Sequence, residues 1–216
     1  MKRPISLLLA LLMICSLLTL AACSQDTTNT PDNTDKSDNT SVSTTLPPET
    51  DPPAPAYESA LDLYTAIWNA YGEENKFACG GGDIDHESMD GPGQYALSDA
   101  NAETFKYLLH VTDELYGMLE DDVATLQHMM NLNTFCSAVA KLKDPAQAAD
   151  FATAYQTAIQ GQRWMCGFPD KVVVIAVGDY VVMAYGHEGN IDNLVAACAA
   201  VDAQSSVLVD APAMVE

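Results

Sequence analysis

The chain has 216 residues, 48% of them hydrophobic, and carries 30 acidic against 9 basic side chains, a net charge of −21. A protein this acidic lacks the basic surface needed to neutralise phosphates, which excludes nucleic-acid binding. Anionic lipid also repels it over about 8–10 Å, so membrane attachment would have to come from another feature.

The N-terminus has the three parts of a secretory signal: Lys2-Arg3, an apolar run over residues 5–20, and small residues before Cys23. The segment Leu20-Ala21-Ala22-Cys23 is typical of a bacterial lipoprotein. We therefore predict a signal peptide over residues 1–22, lipidation at Cys23, and an extracytoplasmic protein held to the cell membrane by that lipid. The alternative is an ordinary signal peptide, with Cys23 incidental. Loss of the signal leaves a net charge of −23.

Residues 23–56 are predicted to form a disordered tether. They are rich in Thr, Ser, Pro and Asp, and only Val42 and Leu46 are large and apolar. Extended at ~3.1 Å per residue, such a tether reaches about 100 Å. Residues 57–216 have the length of one globular domain with its own core.

The first half of this domain is predicted to consist of helices, with one long loop between the first and the second. Apolar residues at helical spacing indicate a helix over residues 58–71, and glycines indicate an irregular loop over residues 77–93. Ser98 or Asp99 is placed to cap a second helix. The acids Glu120-Asp121-Asp122 suit the first turn of a short third helix.

The second half of the domain shows both the two-residue period of strands and the helical period. Residues 134–143 alternate as a half-buried strand, and Asp144-Pro145 opens a helix. Two β-rich runs, residues 171–177 and 180–185, are joined by Gly178-Asp179, which favours a tight hairpin.

Asn190 is placed to cap a last helix. The resulting β-α-β-β-α order, with helices ahead of it, predicts an α+β fold. In it a small antiparallel sheet packs against several helices on one face.

The strand over residues 134–143, the helix after Asp144-Pro145 and the apolar run over residues 172–183 carry a family resemblance. Through them residues 133–197 resemble the C-terminal domain of a lipoprotein family of unknown function from gut Gram-positive bacteria, and the lipoprotein signal and the tether agree with this resemblance. Similar chains, with a Gly-Gly-Gly-Asp loop and a His-Met-Met segment, are sometimes labelled bacteriocin transport accessory proteins. That label implies a thioredoxin-like domain, whose Cys-x-x-Cys motif this sequence lacks. The family supplies no catalytic residues.

The loop over residues 77–93 holds most of the predicted ligand-binding residues. Its alternating acids resemble the opening of a calcium loop, although Ser88 and Gln94 depart from that pattern. A solvated acidic loop, or a hydrolase site that includes the histidine, are the other interpretations. The predicted residues in this loop are Asp83, Asp85, His86, Glu87 and Asp90.

Arg163 and Trp164 form a second candidate pair, because Arg163 could clamp an anionic ligand or form a structural salt bridge. The soft ligands of residues 127–130 and Met165-Cys166 would suit Cu(I), but methionines at such spacing are more often core residues. The metal therefore stays open, and no cofactor is predicted.

Cys79, Cys136, Cys166 and Cys198 remain after lipidation of Cys23 and allow three pairings. Cys136 and Cys198 lie at core-like positions, so Cys79 with Cys166 is the preferred pair if a disulfide forms.

No Gly-x-Ser-x-Gly, His-Glu-x-x-His or Ser-x-x-Lys pattern occurs, which favours a protein without catalytic activity. The leading hypothesis is a membrane-anchored binding or accessory domain for a protein, peptide or small ligand. The alternatives are an accessory factor for peptide export or thiol redox chemistry, and a cation-binding or hydrolytic domain.

Overall fold

A computed structural model describes residues 57–130 and 133–215. The signal peptide, Cys23 and the tether were predicted for residues outside these ranges. None of the described helices is long and apolar enough to cross a lipid bilayer.

Five α-helices and seven strands follow one another along the described residues. Their bounds are α1 Ala60–Ala70, β1 Cys79–Gly80, β2 Gly93–Gln94, α2 Ala102–Leu109, α3 Asp113–Gly117, β3 Leu119–His128, β4 Cys136–Leu142, α4 Ala148–Gln160, β5 Lys171–Val177, β6 Tyr180–Gly186, α5 Glu188–Val201 and β7 Ser206–Pro212.

The seven strands form one antiparallel sheet in the order β1-β3-β4-β6-β5-β7, with β2 also pairing with β3. The mixed α and β composition that the sequence predicted is confirmed, but the sheet is larger than predicted. Strand β7 was missed because most of its side chains are exposed or only partly buried, which hides the alternating pattern of a strand.

Helices cover both faces of the sheet, which corrects the prediction that they cover one. Phe105 of α2, Leu115 of α3 and Phe151 of α4 are buried in one core. Leu63 of α1 and Leu194 of α5 are buried in the other. The sheet therefore separates two hydrophobic cores.

Strand β4 is buried on both faces and is not half-buried as predicted. Ser137 lies in the interior, where its hydroxyl donates to the Leu126 carbonyl at 3.1 Å and contacts the Tyr64 hydroxyl. A buried hydroxyl is tolerated there because it is hydrogen-bonded.

The third helix predicted from residues 120–122 is wrong, because these residues begin β3. The register of β3 against β4 shifts between Leu119 and Val123. At this irregularity Asp122 accepts hydrogen bonds from Ala60 N–H at 2.9 Å and from the Tyr180 hydroxyl at 3.0 Å. The acids thus bind neighbouring elements and do not cap a helix.

Helix α4 and the β5–β6 hairpin lie where they were predicted. Asp144 accepts from Ala146 N–H at 3.1 Å in a 3₁₀ turn that leads into α4. Helix α5 begins two residues before Asn190, because Asp170 accepts from Glu188 N–H at 3.0 Å and satisfies its first turn.

Gly178→Val is expected to destabilise the protein by about 1–2 kcal/mol, because Gly178 has φ +57° and β-branched residues disfavour this conformation. No described atom lies within 4 Å of a Cβ at this position, so the cost comes from the backbone alone. Urea unfolding of the full-length protein measures it. Gly189→Ala in α5, equally open, is the control and should be neutral or stabilising. An unchanged midpoint for Gly178→Val would contradict the turn.

Candidate functional site

The glycine run over residues 80–82 is explained by close backbone packing against neighbouring strands. A Cβ on Gly81 would lie 2.1 Å from the Thr125 carbonyl oxygen and 2.5 Å from the Gly93 nitrogen. Gly82 has φ +87° and donates its N–H to Thr125 Oγ1 at 2.9 Å. The glycines therefore let the loop lie directly on β3.

Asp83 is buried at the centre of this loop and organises its backbone. Its Oδ1 accepts from the N–H groups of Asp85 and His86, both at 3.0 Å, and lies 2.8 Å from His86 Nδ1. Its Oδ2 accepts from Ala96 N–H at 2.8 Å and Asn101 Nδ2 at 3.3 Å. Burial alone would raise the pKa of the Asp83 carboxyl, but these donors together hold that pKa below its usual value.

The other predicted loop residues do not converge with Asp83 on a metal site. The side chains of Asp85, His86, Glu87 and Asp90 are exposed. Among the described residues, no group of three or more His, Cys, Asp or Glu side chains is placed to hold a metal ion. The calcium pattern is not assembled because the Asp83 oxygens bind N–H donors in the interior.

An open cleft of about 480 Å³ lies between the loop and the end of β3. Three large apolar side chains line it: Ile84 is 88% exposed, Met89 54% and Met129 48%. His128 completes this wall and stacks on Phe77 at 4.7 Å between ring centroids. Partial burial, and secondarily the charge of a neighbouring histidine, lower the pKa of His128, which favours the neutral imidazole.

A second cleft of about 230 Å³ adjoins the first, because Gln127 and His128 line both. Trp164 lies on its wall, 5.2 Å from the Tyr185 ring and 5.1 Å from the His110 ring between centroids. The lining residues are Leu108, Gln127, His128, Asn133, Thr134, Phe135, Cys136, Trp164, Cys166 and Tyr185.

The structure does not bring Arg163 to either cleft. Its side chain is exposed and forms no salt bridge with a described residue, so neither the predicted clamp nor the predicted ion pair is formed here. The Cu(I) ligand set is also spread out: Met129 lines the first cleft, Cys166 lines the second, and Met165 is 80% exposed.

All four cysteines of the described residues are free thiols, so the preferred Cys79–Cys166 disulfide is not formed. Cys79 is buried in the core on the α1 and α5 side of the sheet. Cys166 lines the second cleft on the opposite side, next to Trp164, which packs against the other core. The sheet lies between the two predicted partners.

The sequence missed the apolar lining of the first cleft. Ile84 and Met89 stand among acids in an irregular loop, where neither periodicity nor a motif singles them out. Comparisons with protein-family models, with curated proteins and with solved structures find no match. The functional argument therefore depends on the geometry of these clefts.

Proposed function

We propose that this protein is a lipid-anchored, extracytoplasmic binding domain whose first cleft takes a cationic, apolar peptide segment of a partner. One observation carries the proposal. Exposed acids, Asp85 and Glu87, stand beside a cleft lined by the exposed apolar side chains of Ile84, Met89 and Met129.

The apolar side chains support a binding surface because they share one cleft. Single exposed apolar residues are ordinary on a protein surface, whereas a contiguous group is typical of interaction sites. Met89 and Met129 are flexible and polarisable, so they can adapt to different apolar side chains of a bound peptide.

The charges select a cationic partner. Asp85, Glu87 and Asp90 are exposed on the loop, and no Lys or Arg lines the first cleft. The whole chain carries a net charge of −21, which attracts cationic segments and repels anionic ones at long range. Charge of this kind raises the association rate and the specificity more than the final affinity.

An open cleft favours a peptide over a small molecule. Small-molecule sites are usually concave and bury most of the ligand. Gln127 and His128 line both clefts, so an extended segment bound in the first could reach the second. The buried, fully hydrogen-bonded state of Asp83 leaves the cation-binding and hydrolytic alternatives without a carboxylate at their centre.

Binding to a fluorescent peptide of alternating Lys and Leu tests this proposal, with an equal-length Glu and Leu peptide as the anionic control. We expect the full-length protein in detergent to bind only the cationic peptide. Asp85→Lys with Glu87→Lys should weaken binding at least about tenfold. Asp150→Lys with Asp179→Lys makes the same charge change at exposed acids outside both clefts and should have a smaller effect. Equal weakening by both double variants would contradict a site at the cleft.

The membrane anchor has its own test. Cys23→Ser removes the thiol that would carry two acyl chains, so the variant should be unlipidated and either released or left unprocessed. Membrane fractionation and intact mass of the expressed protein measure both outcomes. A variant that stays with the lipid to the same extent as the parent protein would contradict the anchor.

A further inference from the structure

We infer that Cys136 and Cys166 are a redox-active thiol pair that closes reversibly into a disulfide across the second cleft. Both residues line that cleft. Cys136 is buried in β4, whereas Cys166 is exposed on the irregular segment between α4 and β5. The pair thus combines an accessible thiol with a protected one, which is the arrangement of an attacking and a resolving cysteine.

Gly167 brings Cys166 toward Cys136. A Cβ on Gly167 would lie 2.5 Å from Thr134 Cγ2, and Gly167 has φ +84°, so its backbone lies directly on Thr134. Thr134 is two residues before Cys136, and residues two apart in extended chain point to the same side. Gly167, next to Cys166, therefore contacts the segment that leads into Cys136.

The segment that carries Cys166 is held by packing alone. Residues 163–169 form no hydrogen bond with other described residues, through either backbone or side chain. Partly buried Trp164 and buried Pro169 hold it in place by packing. A disulfide requires its two Cα atoms about 4.4–6.8 Å apart, and a segment without ladder hydrogen bonds can reach that geometry at little cost.

The other two thiols are excluded by their position. Cys79 and Cys198 are both buried in the core on the α1 and α5 side of the sheet, whereas Cys136 is buried in the opposite core. Neither of them lines the second cleft, whereas Cys136 does.

The reaction is thiol–disulfide exchange with a small-molecule disulfide as the oxidant. The Cys166 thiolate attacks one sulfur of that disulfide, forming a mixed disulfide and releasing one thiolate. Cys136 then loses its proton and attacks the Cys166 sulfur, which expels the second thiolate. Two protein thiols are oxidised to one disulfide, and the reagent is reduced to two thiols. Burial raises the pKa of Cys136 to about 12, which makes the second step slow at neutral pH and faster as the pH rises.

Tryptic mapping of the full-length protein after exposure to oxidised glutathione tests the inference. Each of the four thiols falls in a different tryptic peptide, namely residues 77–106, 107–141, 164–171 and 172–216. We expect a species that links peptides 107–141 and 164–171 with the loss of two hydrogens, in a monomeric protein, reversed by dithiothreitol.

Three variants separate this pair from non-specific oxidation. Cys166→Ser should abolish the linked species, Cys136→Ala should trap glutathione on Cys166, and Cys198→Ala should leave the link unchanged. Cys166→Ser alters an exposed residue, so it keeps the test valid even if Cys136→Ala fails to fold. A link from 164–171 to 77–106 or 172–216, a link between two chains, or glutathione remaining on Cys166 of the unaltered protein would overturn the inference.

Discussion

Replacing Asp83 by Ala is expected to lower the free energy of unfolding by about 4 kcal/mol. The Asp83 carboxylate accepts from three backbone N–H groups and from Asn101 Nδ2. Removing it leaves these donors without their partner, and each unsatisfied buried donor costs about 1–3 kcal/mol. Urea unfolding of the full-length protein measures the loss. Asp85→Ala removes an exposed carboxylate from the same loop and should change stability by less than about 0.5 kcal/mol.

The acid dependence of stability provides an independent measurement on the same residue. The pKa of Asp83 is lower in the folded protein than its ordinary value, near 3.9 in an unfolded chain. Its contribution is therefore fully present above about pH 4 and is lost as the pH falls through the lower, folded pKa. Asp83→Asn should flatten the unfolding curve in this acid range. An acid limb unchanged by the substitution would contradict the role of Asp83.

Gly81→Ala is expected to destabilise the protein by at least about 3 kcal/mol. This loss lies near the upper end of the range that is typical when a group is inserted into a packed region. The new Cβ would meet backbone atoms of Thr125 and Gly93 at 2.1 and 2.5 Å, and backbone cannot rotate away as a side chain does. The loop must therefore separate from β3. Thermal and urea unfolding measure the loss of stability, and hydrogen exchange at residues 80–94 reports whether the loop has opened.

Gly91→Ala is the matched control for Gly81→Ala, because its Cβ would meet only the Trp68 side chain, at 3.4 Å. This distance is an ordinary van der Waals contact, so we expect little change in stability. If Gly81→Ala were as stable as Gly91→Ala, the glycine run would not be required for packing the loop on β3.

The sequence correctly predicted those elements that are determined by residues adjacent along the chain. Gly178-Asp179 turns the β5–β6 hairpin because glycine there adopts a positive φ, and Asp144-Pro145 begins the turn that leads into α4. The apolar stripe of α4 is buried as its spacing indicates, with Phe151, Tyr155 and Ile159 in the core.

Elements defined by long-range contacts were not predictable in this way. Acids at the start of a helix and acids at the start of a strand look alike in sequence. The role of Asp122 follows from its donors Ala60 and Tyr180, which are distant along the chain. The burial of Ser137 likewise depends on Tyr64, which lies in α1 and is distant along the chain.

The candidate site was predicted only in part, for the same reason. The acidic loop was identified from its composition, but its five predicted residues have different roles. Asp83 is buried and structural, whereas Asp85 and Glu87 stay in water. Which acid of the loop is buried depends on the N–H group of Ala96 and the side chain of Asn101, more than ten residues away.

Hydrogen–deuterium exchange of the full-length protein, with and without the cationic Lys and Leu peptide, tests the proposed binding cleft most directly. We predict slower exchange at residues 80–84, 87–89 and 127–129, which line the first cleft, and unchanged exchange in the β5–β6 hairpin. High salt should remove this protection, because it screens the exposed acids. Binding with no protection at the cleft, or with protection confined to other elements, would contradict the proposed site.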